Sequence, residues 1–459
     1  FSVVAVLANY QDREDSDTEW SRIDMDDLYA APLVVTSDTE TSSFEFRVNS
    51  NPGVFEWTVG YFFEDFEGKP NQIVETQYGS SADAFDYITA IIMGAPDYDG
   101  SAYCPPFCND TLGYPNMYYG SWRYFSRARE ESLFGQVSYK WQDFTFTAGL
   151  RRYMLEDSYK GSEFGVFYLG SNGCDNDGDG KGDFADGVTC NELSGTEADT
   201  RPKLTVSYTP NDDLTLFAVS SAGYRPGGNN ANLPYFCEND PEASSFERRY
   251  TSDEAQNTEW GAKYRTSRFS INATYFMIDW QDIQIGIAPA CGWSFTYNGG
   301  AAETSGLELD ATLDLAENLY LDFAGAFMSA ETTVDLPSFD AKAGDRLPGT
   351  VESQFNVGLT YETNFMGNPA FARVDWLNYG ESYATFAQTE NMMSPEYSKI
   401  NFNAGVNLGD AGLQLSIDNL FDERTEAFRF AADSPSWRPR DYVQWIPPRT
   451  VSLRYSVSF

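Results

Sequence analysis

Apolar and polar residues alternate strictly over the last ten residues of the chain. Val451, Leu453, Tyr455, Val457 and Phe459 are apolar, and the residues between them are polar. Side chains of a β-strand point alternately to its two faces, so this pattern predicts a strand with one apolar and one polar face. A half-buried strand of a soluble β-sandwich gives the same pattern. The two interpretations differ in whether long alternating segments recur along the chain.

The alternation does recur, and it is clearest in residues 55–63, 144–151, 319–327, 400–408 and 413–418. Most of the predicted strands are about ten residues or longer, whereas strands of globular proteins average five or six. The pattern predicts about sixteen strands, near residues 1–10, 42–49, 54–66, 131–141, 143–157, 200–210, 214–224, 254–265, 268–281, 302–315, 318–331, 350–362, 369–382, 397–409, 411–419 and 449–459.

Short and long connections alternate between these strands. Tight turns rich in Gly, Pro, Asn and Asp occur at 51–53, 141–143, 210–213, 316–318 and 409–412. Up-and-down outer-membrane barrels have this arrangement, with short periplasmic turns and long outer loops. We therefore predict an all-β fold, an antiparallel up-and-down transmembrane β-barrel over residues 1–459. Its outer loops lie at about 67–130, 158–199, 225–252, 282–301, 332–349, 381–396 and 424–448.

Composition is compatible with such a barrel. The chain has 30 Lys plus Arg against 69 Asp plus Glu, a net charge of −39, which excludes a general nucleic-acid binder. Mean hydropathy is −0.44, and no apolar run approaches the 18 or so residues of a membrane helix. Membrane strands need only about ten residues, half of them facing a polar interior. Aromatic residues are 16% of the chain, as interfacial girdles require.

The chain contains no histidine. Ser-His and Cys-His catalysis and imidazole metal sites are therefore excluded, and we expect no enzyme activity; an outer-membrane hydrolase is disfavoured for the same reason. Residue 1 is Phe, inside an apolar run. We accordingly expect the chain to lack its true N-terminus.

An acidic, glycine-rich segment between Cys174 and Cys190 has the spacing of a calcium loop. Carboxylates fall at positions 1, 3, 5, 9 and 12 of such a loop, with Gly180 at the turn position 6. The alternative is a flexible acidic loop without an ion, and an Asp rather than the longer Glu at position 12 weakens the match. The predicted calcium ligands are Asp175, Asp177, Asp179, Asp183, Asp186 and the carbonyl of Lys181.

Six cysteines, all in predicted loops, indicate disulfides and an oxidising compartment. A metal site is the alternative, but the sequence contains no Cys-x-x-Cys pair that would favour it. Six cysteines allow 15 connectivities; we expect the pairs Cys104–Cys108, Cys174–Cys190 and Cys237–Cys291.

Two predicted outer loops combine aromatic residues with arginine, which suits planar, anionic ligands. An aromatic girdle at the lipid headgroups is the alternative explanation. The candidate ligand-binding residues are Tyr118, Tyr119, Trp122, Arg123 and Tyr124 in the first loop, and Arg429, Trp437 and Arg438 in the last.

Five motifs follow one another in order along the chain. They are Leu133-Phe-Gly-Gln-Val-Ser-Tyr139 with Phe144-Thr-Phe-Thr-Ala-Gly-Leu-Arg-Arg-Tyr153, Pro202-Lys-Leu-Thr-Val-Ser-Tyr208 running into Gly223-Tyr-Arg-Pro-Gly-Gly-Asn-Asn230, Glu259-Trp-Gly-Ala-Lys263, Thr304-Ser-Gly-Leu-Glu-Leu309 and Ile417-Asp-Asn-Leu-Phe-Asp422. These motifs resemble those of TonB-dependent outer-membrane receptors over essentially the whole chain. Each motif is weak alone, but together with the terminal aromatic strand they identify this family.

The resemblance implies a bacterial outer-membrane transporter with a 22-stranded barrel, a plug domain and a TonB-contacting box. Neither plug nor box occurs in this sequence, so we expect about sixteen of the 22 strands and a start near strand seven. A plugless porin is the alternative. By family position, Arg225 and Asn229 are candidate ligand contacts, whereas Gly227 and Gly228 could serve only a turn with positive φ.

The function implied is active uptake of a ferric siderophore, with vitamin B12 or oligosaccharides as alternative ligands. The implied partners are the TonB energy-transducing complex, acting through the plug, and the lipid and lipopolysaccharide of the outer membrane. No catalytic cofactor is expected.

Overall fold

The computed structural model describes residues 1–19, 32–68, 71–75, 118–164, 188–231, 233, 237, 240–287, 289, 294–386, 388, 392–431 and 441–458. The strands are β1 (Ser2–Glu19), β2 (Pro32–Asn49), β3 (Phe55–Gly68), β4 (Asn71–Glu75), β5 (Tyr118–Trp141), β6 (Phe144–Phe164), β7 (Val188–Asn211), β8 (Leu214–Arg225), β9 (Gly228–Asn229), β10 (Arg249–Tyr250), β11 (Asp253–Arg265), β12 (Phe269–Ile287), β13 (Phe295–Ala316), β14 (Leu319–Thr332), β15 (Ser353–Phe365), β16 (Asn368–Tyr379), β17 (Ser382–Tyr383), β18 (Met393–Ser394), β19 (Tyr397–Leu408), β20 (Ala411–Asp418), β21 (Glu426–Ala431), β22 (Asp441–Trp445) and β23 (Thr450–Val457). Two short 3-10 helices cover Pro241–Ser245 and Pro337–Phe339.

One large antiparallel sheet contains all the long strands. Its order is β1, β2, β3, β5, β6, β7, β8, β11, β12, β13, β14, β15, β16, β19, β20 and β23, and β4 continues the line of β3 between β2 and β5. Within the described part of the chain, β1 and β23 each pair on one side. The predicted all-β antiparallel class and the number of long strands are confirmed. Among the described residues, no helix has the length and hydropathy needed to cross a membrane.

Short turns lie at one end of this sheet and long connections at the other, as the loop pattern predicts. The tight turns use left-handed backbone conformations, with φ of +54° at Gln142, +64° at Asn318 and +75° at Gly409. Glycine and Asn adopt such conformations at low cost. We refer to the end with the long connections as the outer end.

Many strands run further outward than the alternation predicts. β5 begins at Tyr118 and β7 at Val188, so parts of the expected loops 67–130 and 158–199 are strand. The expectation that Tyr118–Phe125 forms a loop is therefore wrong: its backbone pairs with β4 and β6. Strands can continue beyond the apolar band because the backbone ladder, rather than the side-chain pattern, supplies their hydrogen bonds.

The outward face of the sheet carries exposed apolar side chains in rows of paired residues. Consecutive rows are two residues apart, about 6.8 Å along a strand, and a tilt of about 40° leaves about 5 Å per row along the membrane normal. From the short turns outward, the rows across β3, β5, β6 and β7 are Trp141, Phe144 and Tyr208; Phe55, Tyr139, Phe146 and Val206; Trp57, Val137, Ala148 and Leu204; Val59, Gly135, Leu150 and Pro202; and Tyr61, Leu133, Arg152 and Thr200.

The opposite face is polar. A concavity of about 420 Å³ on β12–β16 is lined partly by amides and carboxylates, including Asn272, Glu308, Asp310 and Asn356. Below it, Arg373 lies between Asp322 and Asp375 at 2.6 and 2.8 Å. An apolar outside and a polar inside are the reverse of a soluble sandwich and fit a membrane barrel.

Buried apolar residues concentrate at the outer end, where connections pack over the strands. Ile283, Ile287, Phe295 and Ala302 are buried there, and so is Cys237. Phe246 contacts Phe295 edge-on, with ring centroids 5.3 Å apart. The outer connections therefore form a packed layer of their own.

Candidate functional site

Arg225, a predicted ligand contact, is the last residue of β8 and pairs with Asp253, the first residue of β11. Its Nη2 and Nε donate to Asp253 Oδ2 at 2.6 and 3.1 Å. The Asp253 side chain is only 3% exposed, so Arg225 compensates a buried charge. The guanidinium also lies 5.5 Å from the Trp280 ring centroid, yet 51% of the side chain is exposed. One side of Arg225 is therefore held by protein, and another is accessible to an anion.

Asn229, the second predicted contact, lies in a two-stranded ribbon formed by β9 and β10. Its Nδ2 donates to Asp157 Oδ2 on β6 at 2.7 Å. From the other strand, Arg249 reaches Asp157 at 2.5 Å and Glu197 of β7 at 3.2 Å. The hydrogen bond to Asp157 raises the pKa of Arg249 above its usual value. The ribbon lies in the connection between β8 and β11, and ion pairs thus hold it to two other strands, β6 and β7.

Glycines allow the ribbon to lie this close. A Cβ on Gly195 of β7 would stand 1.8 Å from Arg249 Cζ, and one on Gly227 would stand 2.5 Å from the Tyr250 carbonyl oxygen. Neither Gly227 nor Gly228 has a positive φ. The expectation that these two glycines serve a turn with positive φ is wrong, because close approach of side chains and backbone is what requires them.

The other side of the ribbon is joined to β12 and β13. The buried side chain of Asn230 donates to the carbonyls of Glu247 and Thr296 at 2.6 Å and accepts from the Thr296 N–H at 2.9 Å. Gln284 donates to the carbonyls of Pro226 and Thr251 at 2.8 and 3.0 Å. Burial raises the pKa of Tyr250. The described residues at the two ends of this connection, 226–231 and 240–252, are therefore held from two directions.

Next to the ribbon, Tyr153 and Tyr224 stack with ring centroids 3.8 Å apart. The Arg201 guanidinium lies 5.8 and 5.7 Å from these rings and forms an ion pair with Glu254 at 2.6 Å. Arg201, Tyr224 and Arg151 line a concavity of about 670 Å³ that opens beside them. Tyr153 is 2% exposed and the Arg201 side chain 10% exposed, so these two groups mainly hold Tyr224, which together with Arg151 gives the concavity an aromatic and cationic border.

The other predicted contacts are not brought to this site in the described part of the chain. Arg429 lies on β21 and is paired with Glu426 at 2.8 Å. Trp437 and Arg438 lie outside the described residues, as do the side chains of the Tyr118, Tyr119, Trp122, Arg123 and Tyr124 set on β5.

The predicted calcium loop, 175–186, lies wholly outside the described residues, so calcium binding stays a prediction. Within the part of the chain that the structure describes, no group of three or more Asp, Glu or Cys is arranged to hold a metal ion. Cys237 is fully buried and disulfide-bonded. Cys104, Cys108, Cys174 and Cys291 are outside the described residues, and the Cys190 side chain is too, so the pairings stay predictions.

Sequence reasoning missed the partners that organise this site: Asp157, Glu197, Arg249, Asp253 and Trp280. Asp157 and Glu197 do fall on the inward side of β6 and β7 if the alternation is extended past the apolar band. Arg249 lies in an expected loop, where no local pattern points to it. Its role depends on contacts with strands 52 and 92 residues away in sequence.

An antiparallel sheet with apolar outward rows, a polar inward face and long connections at one end defines an outer-membrane β-barrel protein. A family model described as "TonB dependent receptor-like, beta-barrel" matches residues 5–420. The chain belongs to this family, which is a family of receptors and transporters and not of enzymes, and its place is the bacterial outer membrane.

Relatives and solved structures agree with this family assignment. The chain is 23% identical over 267 residues to a pesticin receptor of Yersinia enterocolitica, covering 56% of this chain and 36% of the relative. It is similar to the ferric yersiniabactin uptake receptor FyuA of Yersinia pestis, with a TM-score of 0.71 and 14% identity, covering 100% of this chain and 59% of that one. The ferric citrate transporter FecA gives a TM-score of 0.66 at 15% identity, with 100% and 59% covered. At these identities the structural likeness shows the fold.

Proposed function

We propose that this chain is the barrel of an active transporter that takes up a scarce ligand across the outer membrane. The observation that carries the proposal is the family match over residues 5–420 on a sheet that is apolar outside and polar inside. In this scheme a plug domain closes the barrel, and a TonB energy-transducing complex acts through the plug to release the ligand inward. Binding affinity, rather than catalysis, is then the quantity on which uptake depends.

A ferric siderophore is the ligand class that we favour. Two of the similar solved structures are described as a ferric yersiniabactin receptor and a ferric citrate transporter. In this chain, the half-exposed Arg225 beside Trp280 and the concavity bordered by Tyr224 and Arg151 suit an anionic ligand with planar groups. A copper transporter, OprC, is also among the similar folds, and vitamin B12 and oligosaccharides stay open as ligands.

Growth under iron limitation tests the proposal. A host without its own siderophore receptors, expressing the native protein, should grow on one member of a panel of ferric siderophores and should stop when TonB is removed. Arg225→Gln combined with Asp253→Asn, which leaves no unpaired buried carboxylate, should raise the siderophore concentration needed for half-maximal growth about tenfold, because a charge-assisted contact is worth about 1.5–3 kcal/mol. Asp253→Asn alone is the matched control. Growth that is independent of TonB would support a passive porin instead, as would steady ion conductance in planar bilayers.

We also propose that the segment from Cys174 to Cys190 binds calcium and orders part of the outer surface. Five carboxylates at calcium-loop spacing repel one another unless a cation screens them. Calorimetric titration of the protein should show calcium binding that Asp177→Asn and Asp179→Asn together abolish. Equal heats for the native protein and this variant would refute the site.

A further inference from the structure

The pairing of β7 with β8 stops partway along both strands. The last paired residues are Lys203 and Ser221, although β7 and β8 both continue toward the outer end. On β7, the Thr209 N–H donates to the Asp143 carbonyl beside β6, so odd-numbered residues direct their backbone groups to β6 and even-numbered residues direct theirs to β8. The next residue along β7 is Pro202, which faces β8 without an N–H to donate. Proline therefore ends this ladder.

Beyond the last pair, the ends of β8 and β11 lie on the lumen side of β6 and β7. Alternation from the exposed Leu216 places Tyr224 on the outward face of β8. Its ring nevertheless stacks on Tyr153, which is on the inward face of β6, with ring centroids 3.8 Å apart. Glu254 on the outward face of β11 pairs in the same way with Arg201 on the inward face of β7, at 2.6 Å. Outward side chains meet inward ones only where one layer of strands lies behind the other.

This overlap is a seam in the wall, between residues 198–202 of β7 and residues 222–225 of β8. Side chains close it, because the Arg201–Glu254 ion pair and the two stacked tyrosines lie along it. Farther out, the ion pairs that hold the β9–β10 ribbon to β6 and β7 cross it as well. Contacts of this kind can slide or separate while the ladders on either side stay intact. The seam is therefore a place where the wall can open.

The outer side of the seam lies within the apolar band of the barrel. Pro202 is six residues along β7 from Tyr208, an aromatic residue at the short-turn end. Six residues span about 20 Å of strand and, at a tilt of about 40°, about 15 Å along the membrane normal, in a band about 25 Å tall. Leu150 and Leu204 flank Pro202 and are 55% and 58% exposed, and the small Ala222 lies on the other strand. The seam therefore faces the hydrocarbon of the outer leaflet.

On the lumen side, the seam borders the concavity of about 670 Å³, whose lining includes Ala222. In the described part of the chain, that lining holds four basic residues and one acidic residue: Arg47, Arg151, Arg201, Lys203 and Glu130. Glu130 pairs with Arg151. Lys203, the last paired residue of β7, has no ion-pair partner among the described residues. This side of the seam therefore attracts anions.

We propose that the seam is a lateral passage for an amphiphilic ligand that has an anionic head and one acyl chain. Arg151 and Lys203 hold the head in the concavity, and the chain runs between Pro202 and Ala222 into the outer leaflet. Hydrocarbon is more stable in the leaflet than in a polar lumen, whereas the charged head stays where cations compensate it. The proposal rests on the proposed uptake function and deepens it, because it names the chemical class of the ligand and the side from which the ligand enters.

Spin labels measured by electron paramagnetic resonance, on the protein in nanodiscs of zwitterionic lipid, test whether the seam opens. Thr200→Cys with Ala222→Cys places two labels on the outward faces of the two strands at the seam. Leu204→Cys with Ser220→Cys is the matched control, because these residues pair directly on the same two strands below it. Dodecanoate, an anion with one acyl chain, should lengthen the label distance at the seam by about 5 Å, one strand spacing, and should leave the control distance unchanged.

Two further probes separate the head from the chain. Dodecanol lacks the charge and hexanoate has too short a chain to reach the leaflet, so both should leave the seam distance unchanged. Arg151→Gln combined with Glu130→Gln, which leaves no unpaired carboxylate, should raise the dodecanoate concentration needed for half of the shift about tenfold. Glu130→Gln alone is its control. Pro202→Ala supplies the missing N–H and should reduce the shift, because β7 can then pair further along β8.

An unchanged seam distance with dodecanoate would overturn the proposal. An equal shift with dodecanol, or an equal shift of the control pair, would overturn it as well, because either would show a general loosening of the wall. Should Thr200→Cys not assemble, Ala198→Cys on the same face of β7 takes its place. Neither TonB nor iron is present in these measurements, so a failure to find uptake leaves their outcome unaffected.

Discussion

Two connections leave the outer end of the sheet and are anchored by different chemistry. The connection from β8 to β11, residues 226–252, is held by Arg249 between two carboxylates, Asp157 and Glu197, that belong to β6 and β7. The connection from β20 to β23, residues 419–449, is held at its own base by Asn419, a neutral amide. Arg249 thus joins its connection to strands elsewhere in the sheet. The Asn419 side chain instead bonds to residues of its own connection.

Asn419 uses all of its polar atoms inside the protein. Its Oδ1 accepts from the Glu423 N–H at 2.8 Å, and its Nδ2 donates to the carbonyls of Glu423 and Pro447 at 2.9 and 3.0 Å. It is only 3% exposed, and its φ is +53°, a conformation that Asn tolerates better than most residues. This residue is the Asn of the Ile417–Asp422 motif. The motif therefore has a structural function at the base of the last loop.

The difference between the two anchors is one of range and of sensitivity to solvent conditions. An ion pair acts over distance and can join strands far apart in sequence, but salt screens its exposed part. Amide hydrogen bonds are short-ranged and nearly independent of salt, yet a buried amide that loses its partners is costly. The ribbon beside the candidate ligand site therefore has the anchor whose strength depends on charge.

Removing the cation of the ribbon anchor should have the largest effect. Arg249→Leu leaves Asp157 and Glu197 mostly buried without a counter-charge, and the ribbon should lose about 3 kcal/mol of local stability. Hydrogen exchange of residues 240–252 measures this loss. In the native protein, exchange there should also rise between 0.1 and 1 M salt. Asp157→Leu added to Arg249→Leu should restore part of the protection. A double variant no better than the single would mean that the charge is not what holds the ribbon.

Asn419→Ala should cost about 2 kcal/mol, confined to residues 419–425 and the start of β23. The variant leaves the Glu423 N–H and two carbonyls without partners and places Ala at a positive φ. Exchange at these residues should rise equally at low and high salt, unlike exchange in the ribbon. Asn419→Asp keeps the Oδ1 acceptor and should recover part of the loss. A salt-dependent response would contradict the neutral character of this anchor.

Alternation was sufficient to predict the wall of the barrel. Every long strand is found close to where the sequence places it, because the lipid outside and the polar interior impose the same period on each strand. The family motifs placed Arg225 and Asn229 at the outer end, where they do lie. What alternation could not predict is where strands end beyond the apolar band. Beyond that band lipid no longer imposes a period of two on the sequence, so Tyr118–Phe125 has no pattern that distinguishes strand from loop.

The partners at the site could not be predicted for a different reason. Arg249 and Asp157 are 92 residues apart, and their contact depends on where the β9–β10 ribbon lies relative to β6 and β7. A chain with 69 acidic residues offers many carboxylates to each arginine, so charge alone does not select a pair. Nor does the sequence around position 195 indicate that a glycine is required there. A side chain is excluded at Gly195 because the Arg249 guanidinium lies across it.

Gly195→Ala should weaken the ribbon anchor by about 1–2 kcal/mol, because the new methyl group would overlap the Arg249 guanidinium and push it from Asp157. Gly223→Ala is the matched control. A Cβ there meets only the Ala255 carbonyl oxygen, at 3.9 Å, so exchange in the ribbon should stay unchanged. Equal effects of the two substitutions would show that strand flexibility, and not the close approach of Arg249, sets ribbon stability.

The smallest effect is expected from acid at the base of the last loop. The pKa of Asp422 is lowered, first by the Arg449 backbone N–H that donates to its Oδ1 at 2.8 Å and then by Arg424. A carboxyl whose folded pKa is depressed adds stability above its unfolded pKa, about 3.9, and loses it as pH falls through the folded value. Exchange at Arg449, corrected for its intrinsic pH dependence, should therefore rise only below about pH 4. Asp422→Asn should remove this rise while Asn419 still holds the loop. If the rise persists in Asp422→Asn, another carboxyl controls the loop, and its anchor is less neutral than the geometry of Asn419 indicates.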